Sequence, residues 1–328
     1  MQRRDFITFL GGAVAAWPLA ARAQQAGRVR RIGMLFATPD MGGEFAAVVR
    51  EALARLGWIE GRNVRIELRL GDSDPERLRV YADELVRLAP DVIFASGNVA
   101  ARALQMRTQT IPIVFVGAGA VVQGNTTVKN ITRPESNLTG FANKDEGIEG
   151  KWMQLLKEVA PRLARVNFIY ADSIVPEVAR REIASVEAAA RPAGVAVIST
   201  SFHDATTVEA AIEGFAQVPN GGLIVNSNIV SHRDSILRSA AERKLPLISS
   251  WATFTSAGGL ISYGVDPASL HREAADYIDR ILRGAKPRDL PVQLPTKYDL
   301  AINLRTAKAL GLTVPPDLLT IADKVIEY

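Results

Sequence analysis

The residues whose chemistry stands out are small polar and aromatic residues that directly follow short apolar runs. They are Thr38, Asp40, Ser96, Gly97, Asn98, Gly117, Ala118, Tyr170, Asp172, Asn226, Asn228, Trp251, Phe254, Tyr263 and Asp266. Hydroxyl, amide and carboxyl groups exchange hydrogen bonds with a solute, and aromatic rings supply apolar and stacking surface. Each residue alone also fits a turn or a helix cap, where Ser, Asn and Asp are favoured without a ligand. As a group they predict a binding site for a small molecule.

Catalytic and cofactor motifs are absent from the sequence. The histidines His203, His232 and His271 lack metal-ligand spacing, and we expect all three at the surface. No G-x-S-x-G or P-loop pattern is present, and the stretch 117–122 lacks the third glycine of the dinucleotide fingerprint. The sequence therefore predicts no enzyme, no cofactor and no bound metal.

Strands and helices alternate along the chain. Apolar runs predict strands near 31–36, 64–70, 91–95, 111–116, 166–170, 195–199, 222–225, 245–249 and 260–262. Helical spacing and capping signals predict helices near 45–56, 74–88, 99–106, 145–159, 176–191, 207–215 and 229–243. This order predicts an α/β protein with two doubly wound parallel-sheet lobes, divided between residues 117 and 140.

The fold class also predicts where a ligand binds. In an open parallel sheet the ligand lies beyond the carboxyl ends of the strands. With two such lobes, the site is the cleft between them, and helix N-termini that face the cleft attract anions. Most of the polar residues named above follow predicted strands and therefore belong to this cleft.

The first 25 residues have the order of an export signal. Arg3-Arg4 precedes an apolar run from Phe6 to Leu19, and Ala21 and Ala23 form a small-x-small cleavage site. The arginine pair favours the twin-arginine route. A membrane anchor or a buried helix is the alternative, but the run is shorter than the roughly 20 residues of a span. We expect cleavage before Gln24 and a periplasmic protein.

Composition limits the partners. The precursor has 39 basic and 35 acidic residues; removing residues 1–23, with three arginines and one aspartate, leaves 36 and 34, a charge near +2. No basic stripe with interleaved aromatics suggests nucleic acid. The sequence has no cysteine, which excludes disulfides and a lipid-modified cysteine anchor. A soluble monomer is expected.

Long stretches of the chain resemble the ABC-transporter substrate-binding proteins of the tryptophan/tyrosine-binding type. The resemblance rests on residues 3–8 and 17–25 of the signal and on the stretches 56–64, 111–115, 257–264, 290–298, 302–304 and 307–312. It implies a type I periplasmic-binding-protein fold whose two lobes are joined by three chain crossings. The implied lobes are 29–138 with about 264–288, and 139–263 with about 289–328.

The resemblance implies capture of a small solute by lobe closure and its delivery to an inner-membrane permease with a separate ATPase. We expect Ser96 and Asn98 to hold a carboxylate on a solute that carries an aromatic group in part of this family. Trp251, Phe254 and Tyr263 are expected to supply apolar surface. Asn226 and Asn228 are expected to bind the solute from the other lobe.

One loop departs from the family pattern. Where the family carries an acidic pair in a Gly-Asp-Asp-Pro-like loop, residues 117–120 read Gly-Ala-Gly-Ala. A carboxylate that could meet a ligand ammonium is missing there, and Asp40 or Asp172 would have to replace it. A periplasmic sensory module of the same fold, or a small-molecule enzyme on a doubly wound fold, are the alternative functions.

Overall fold

The computed structural model describes residues 28–38, 42–71, 74–117, 130–145, 147–172, 176–226 and 232–327. Its strands are β1 Arg30–Phe36, β2 Val64–Leu70, β3 Val92–Ser96, β4 Ile113–Val116, β5 Leu138–Phe141, β6 Arg165–Ala171, β7 Ala196–Phe202, β8 Gly221–Val225, β9 Leu247–Ser249, β10 Ile261–Gly264, β11 Asp299–Asn303 and β12 Lys324–Ile326. Its α-helices are α1 Gly42–Arg55, α2 Pro75–Arg87, α3 Asn98–Gln105, α4 Ile148–Val159, α5 Pro176–Ala190, α6 Ala205–Ala216, α7 Arg233–Glu242, α8 Ala252–Ser256, α9 Pro267–Leu282, α10 Leu304–Ala309 and α11 Pro316–Ile321.

The strands form two sheets that repeat one strand order. The first sheet runs β2-β1-β3-β4-β5, and all its pairings are parallel. The second runs β12-β11-β10-β9-β8-β6-β7, so its part β7-β6-β8-β9-β10 has the same order. Only the β10–β11 pairing is antiparallel among the described strands. The prediction of two doubly wound α/β units is confirmed.

Each sheet is buried on both faces, which explains the nearly continuous apolar runs of its central strands. On one face of the first sheet, side chains of α1 and α9 pack with Phe36 and Phe94; on the other face, α2 and α3 pack with Leu35 and Phe115. In the second sheet, α4 and α5 cover one face and α6 and α7 cover the other. Four separate apolar clusters thus form two three-layer units.

The chain passes between the two sheets three times, in the segments 142–147, 265–266 and 290–298, because α9 packs on the first sheet after β10. The predicted lobe limit at 138 falls inside β5, which pairs with β4 in the first sheet. That limit therefore lies too early by at least three residues. Alternation did not reveal β5, since its four residues, Leu-Thr-Gly-Phe, include a glycine and a threonine.

The predicted export signal, with Ala21 and Ala23, lies outside the described residues. Within the described ranges, no helix is long and apolar enough to cross a membrane. In the same ranges, no group of three or more His, Asp or Glu side chains is arranged to hold a metal ion.

Candidate functional site

The order of the first sheet creates a crevice between β1 and β3. The connections β1-α1-β2 and β2-α2-β3 place α1 and α2 on opposite faces, so the strand order reverses between β1 and β3. Ligands of doubly wound sheets bind at such a switch point, beyond the carboxyl ends of the strands. Thr38 follows β1 and Ser96 ends β3, which places both predicted residues at this point.

Gly97 turns the chain sharply from β3 into α3. Its φ of +97° lies in a region that L-residues other than glycine rarely adopt, and a Cβ there would lie 2.9 Å from the Ala37 Cβ. Gly97 also offers no side-chain cap to α3, so the first amide groups of this helix lack a capping side chain. The buried Oδ1 of Asn98, the first residue of α3, has no hydrogen-bond partner in the described ranges. The end of β3 therefore presents free polar groups.

His271 of α9 lies directly beneath this end of β3. Its Nε2 is 3.1 Å from the Ser96 Oγ, and its Nδ1 is 2.7 Å from the Pro267 carbonyl oxygen. The ring stacks on Phe45 at 4.2 Å between centroids and is only 2% exposed. Burial lowers the pKa of His271 to about 4. The prediction that all three histidines lie at the surface is therefore wrong for His271.

The second sheet has an equivalent switch point between β6 and β8. Asp172 follows β6 and is exposed, with its Oδ2 3.9 Å from His203 Nδ1. Tyr170, near the end of β6, stacks on Phe168 at 5.8 Å and is half-buried. Asn226 follows β8, is 3% exposed, and donates from Nδ2 to the Glu182 carboxylate.

Asn226 belongs to a buried charged cluster, which we define as Lys144, Glu149, Glu182, Ser185 and Asn226. The Lys144 Nζ lies 3.1 Å from Glu149 Oε1 and 2.5 Å from Glu182 Oε1, and Ser185 donates to Glu149 Oε2 at 2.7 Å. Burial opposes the charge on Lys144, but its two carboxylate partners outweigh that and raise its pKa. Burial also raises the pKa of Glu182: Lys144 opposes this shift, and the neighbouring Glu149 carboxylate adds to it. The Asn226 amide is engaged in this cluster, in place of the free donor predicted from sequence.

The three predicted aromatic residues lie in different environments. Tyr263 is half-buried at the end of β10 and stacks on Tyr298 with ring centroids 5.4 Å apart. Trp251 is half-buried in front of α8. Phe254 is 1% exposed and packs in the core beside α7, so the prediction that it lines a pocket is wrong.

Two further predicted residues have local roles. Asp266 caps α9, because its carboxylate accepts from the amides of Ala268 and Ser269. Gly117 has φ +79° and donates its amide to the Phe141 carbonyl, which lets the chain leave β4. Asp40, Ala118 and Asn228 lie outside the described residues.

Sequence reasoning missed His271, Lys144 and the two glutamates of the charged cluster. A signal for His271 existed, because Leu270, Ala274 and Ile278 recur on the buried stripe of α9 and His271 lies within that stripe. The glutamates had no comparable signal. Their partner Lys144 lies in a chain crossing, and periodicity does not position such a segment.

Two doubly wound sheets of one order, joined by three crossings and carrying polar groups at the switch points, define the type I periplasmic-binding-protein fold, a class of solute-binding proteins. Residues 43–326 match the family described as ABC transporter substrate binding protein. The chain belongs to this family.

Known relatives agree with that placement. The tyrosine-binding protein of Clostridioides difficile is 26% identical over 268 residues, covering 80% of this chain and 75% of that protein. The ABC domain of Streptococcus pneumoniae solved in complex with L-Trp has a TM-score of 0.82 at 22% identity, covering 90% of this chain and 99% of the other. A ligand-free, open substrate-binding protein with adhesive properties from Clostridium difficile has a TM-score of 0.67 at 22% identity, covering 92% and 100%.

Proposed function

We propose that this protein is the extracytoplasmic solute-binding component of an ABC importer. It captures a small carboxylate-bearing, aromatic solute between its two lobes and delivers it to an inner-membrane permease that is driven by a separate ATPase. The twin-arginine signal in residues 1–25 exports it to the periplasm, where it works as a monomer without a cofactor. Lobes near 29–141 with about 264–288, and 142–263 with about 289–328, close about the three crossings.

The observation that carries the proposal is the set of polar groups at the switch point of the first sheet. Ser96 and Asn98 are both half-buried there, and the uncapped amides of α3 attract a carboxylate. Trp251 and Tyr263, each half-buried, supply aromatic surface at strand ends of the second sheet. A zwitterionic aromatic amino acid suits this combination of groups.

The relatives support the ligand class and the motion. One relative is named for tyrosine binding and another was solved with L-Trp. The chain fits the L-Trp complex better than the open, ligand-free relative at equal sequence identity. That difference is expected when two lobes rotate about a hinge.

A thermal-shift and calorimetric screen of the exported form tests the proposal. L-tryptophan and L-tyrosine are compared with L-leucine and with aromatic acids that lack the amino group. A solute that binds only the folded state raises the melting temperature as its concentration exceeds the Kd. We expect the aromatic amino acids to do so, and the radius of gyration in X-ray scattering to fall on binding. Absence of any shift with them would contradict the ligand class.

Site variants locate the binding. The double variant Ser96→Ala plus Asn98→Ala should lose about tenfold or more in affinity, which is roughly 1.4 kcal/mol. The matched control is Asp204→Ala, which removes the Thr207-binding cap of α6. This control should lower stability and leave affinity unchanged. Equal affinity of the double variant and the unmodified protein would place the solute-binding site elsewhere.

A further inference from the structure

The hydroxyl group of Ser96 has a fixed direction, set by His271 rather than by the solute. His271 Nδ1 is 2.7 Å from the Pro267 carbonyl oxygen, and a carbonyl oxygen only accepts hydrogen bonds. Nδ1 therefore carries a proton. In a neutral imidazole the other nitrogen, Nε2, is then an acceptor.

The imidazole is held neutral by its surroundings. His271 is 2% exposed, and three phenylalanine rings surround it: Phe45 and Phe36 stack on it with centroids at 4.2 and 6.1 Å, and Phe94 meets it edge-on at 5.7 Å. Its pKa, lowered by this burial to about 4, keeps it uncharged at neutral pH. Asp266, the nearest acidic residue and the cap of the same helix, opposes this shift only in part.

Ser96 must therefore donate its only hydroxyl proton to His271 Nε2, which lies 3.1 Å from the Ser96 Oγ. A serine hydroxyl has one proton and two lone pairs, so the face of Ser96 turned to the crevice holds lone pairs alone. A solute carboxylate and the Ser96 hydroxyl would then both be hydrogen-bond acceptors, so no hydrogen bond could form between them. The buried Asn98 Oδ1, without a partner in the described part of the chain, is a second acceptor at the same strand end.

We propose that His271 is a positioning residue that makes Ser96 a hydrogen-bond acceptor, so that the site requires a solute with a hydrogen-bond donor, an ammonium group, beside its carboxylate. This rests on the proposed function for the identity of the site. The proposal corrects the expectation that Ser96 holds the carboxylate of the solute. That carboxylate instead meets the backbone amides at the start of α3. Ser96 also supplies the acceptor for an ammonium that the Gly-Ala-Gly-Ala loop lacks.

Two-bond ¹H–¹⁵N NMR of the ligand-free exported protein at pH 7 tests the first half directly. The spectrum holds three histidines, and the His271→Phe variant identifies the signals of His271. We expect a neutral ring with its proton on Nδ1. A proton on Nε2, or an imidazolium, would overturn the proposal whatever the solute proves to be.

Calorimetry with two probes tests the second half. The probes are L-tyrosine and 3-(4-hydroxyphenyl)propionate, which has the same ring and carboxylate but no ammonium. Ser96→Ala should lower the affinity for L-tyrosine about tenfold and change the affinity for the propionate less than about twofold. Ser96→Thr keeps the hydroxyl group and should keep the preference for L-tyrosine over the propionate. His271→Phe should reduce the difference in affinity between L-tyrosine and the propionate, because the Ser96 hydroxyl is then free to donate its proton to a carboxylate.

The outcomes separate the two proposals. If Ser96→Ala weakens both probes equally, or if His271→Phe leaves the preference intact, the acceptor role of Ser96 is wrong while the solute-binding function stands. If neither probe binds the unmodified protein, the ligand class proposed above is wrong, and the NMR experiment alone decides whether Ser96 is an acceptor.

Discussion

Burial of His271 links the stability of the fold to pH. Its pKa is about 4 in the folded protein and close to 6.5 when exposed. Above pH 6.5 both states are neutral and the contribution to stability is complete. As the pH falls from 6.5 to 4, the unfolded chain takes up a proton that the folded protein refuses, so stability falls. The loss contributed by this one group is about 3 kcal/mol, from roughly 1.4 kcal/mol per pKa unit.

The measurement is urea unfolding of the unmodified protein and of His271→Phe between pH 7 and pH 4. Other groups titrate in both proteins, so the difference between their unfolding free energies isolates His271. We expect this difference to change by about 3 kcal/mol in favour of the variant at low pH. If the unfolding free energies of His271→Phe and of the unmodified protein change equally with pH, a neutral His271 in the folded protein is contradicted.

At the residue scale, sequence alone predicted positions better than roles. Ser96 was predicted as a site residue because it follows a buried strand, and the structure places it at the switch point. Its role depends on His271, which lies 175 residues away in sequence. Asp266 has an equally suggestive position but acts as a helix cap. Only tertiary contacts distinguish these two outcomes.

At the scale of elements, the charged cluster joins the first crossing to α4, α5 and the end of β8. Lys144 is the only cation of the five residues that define the cluster, and its side chain is 12% exposed. Lys144→Met removes the cation that both Glu149 and Glu182 contact in the described part of the chain. Breaking a buried ion pair in this way costs about 3–5 kcal/mol. We expect that loss in urea unfolding at pH 7.

The chain offers a matched control for this prediction. Lys297 also lies near two carboxylates, 2.6 Å from Asp299 and 3.5 Å from Asp323, but its side chain is 74% exposed. Exposed ion pairs are screened by water and salt, so Lys297→Met should leave stability nearly unchanged. Equal losses of unfolding free energy for Lys144→Met and Lys297→Met would show that burial does not determine how much the charged cluster contributes to stability.

The elements themselves were predictable where one physical signal dominated. The predicted limits of β2 match the structure because Val64, Ile66, Leu68 and Leu70 alternate with charged residues. Helix α2 was predicted from Asp74-Pro75, and Asp74 does cap it by accepting from the Glu76 amide. The short elements β5, β11, β12, α8, α10 and α11 escaped prediction, because three to six residues hold too little periodicity.

At the scale of the molecule, two of the three crossings are hydrogen-bonded to each other. The crossing 142–147 pairs with 290–298, since Ala142 donates its amide to the Gln293 carbonyl and Gln293 donates to that of Gly140. Periodicity predicted two units but gave no path between them. The return of the chain to the first unit near residue 264 was predicted from the family resemblance alone, and α9 does pack on the first sheet.

Tyr298 connects two of the crossings with the end of β10 and gives the last prediction. Its hydroxyl accepts from the Asp145 amide at 2.8 Å, and its ring stacks on Tyr263, which precedes the second crossing. Tyr298→Phe keeps the stacking and removes the acceptor. We expect a loss of about 1–2 kcal/mol in unfolding free energy. Hydrogen exchange of the Asp145 amide should become about tenfold faster, since its bonded state is lost.

Tyr81→Phe is the control for Tyr298→Phe. Tyr81 is half-buried beside α3, and its hydroxyl makes no hydrogen bond within the described ranges. Its removal should leave both stability and Asp145 exchange unchanged. If Tyr298→Phe leaves the exchange of the Asp145 amide unchanged, the tyrosine hydroxyl does not hold that amide, and the crossings are held by backbone pairing and ring stacking alone.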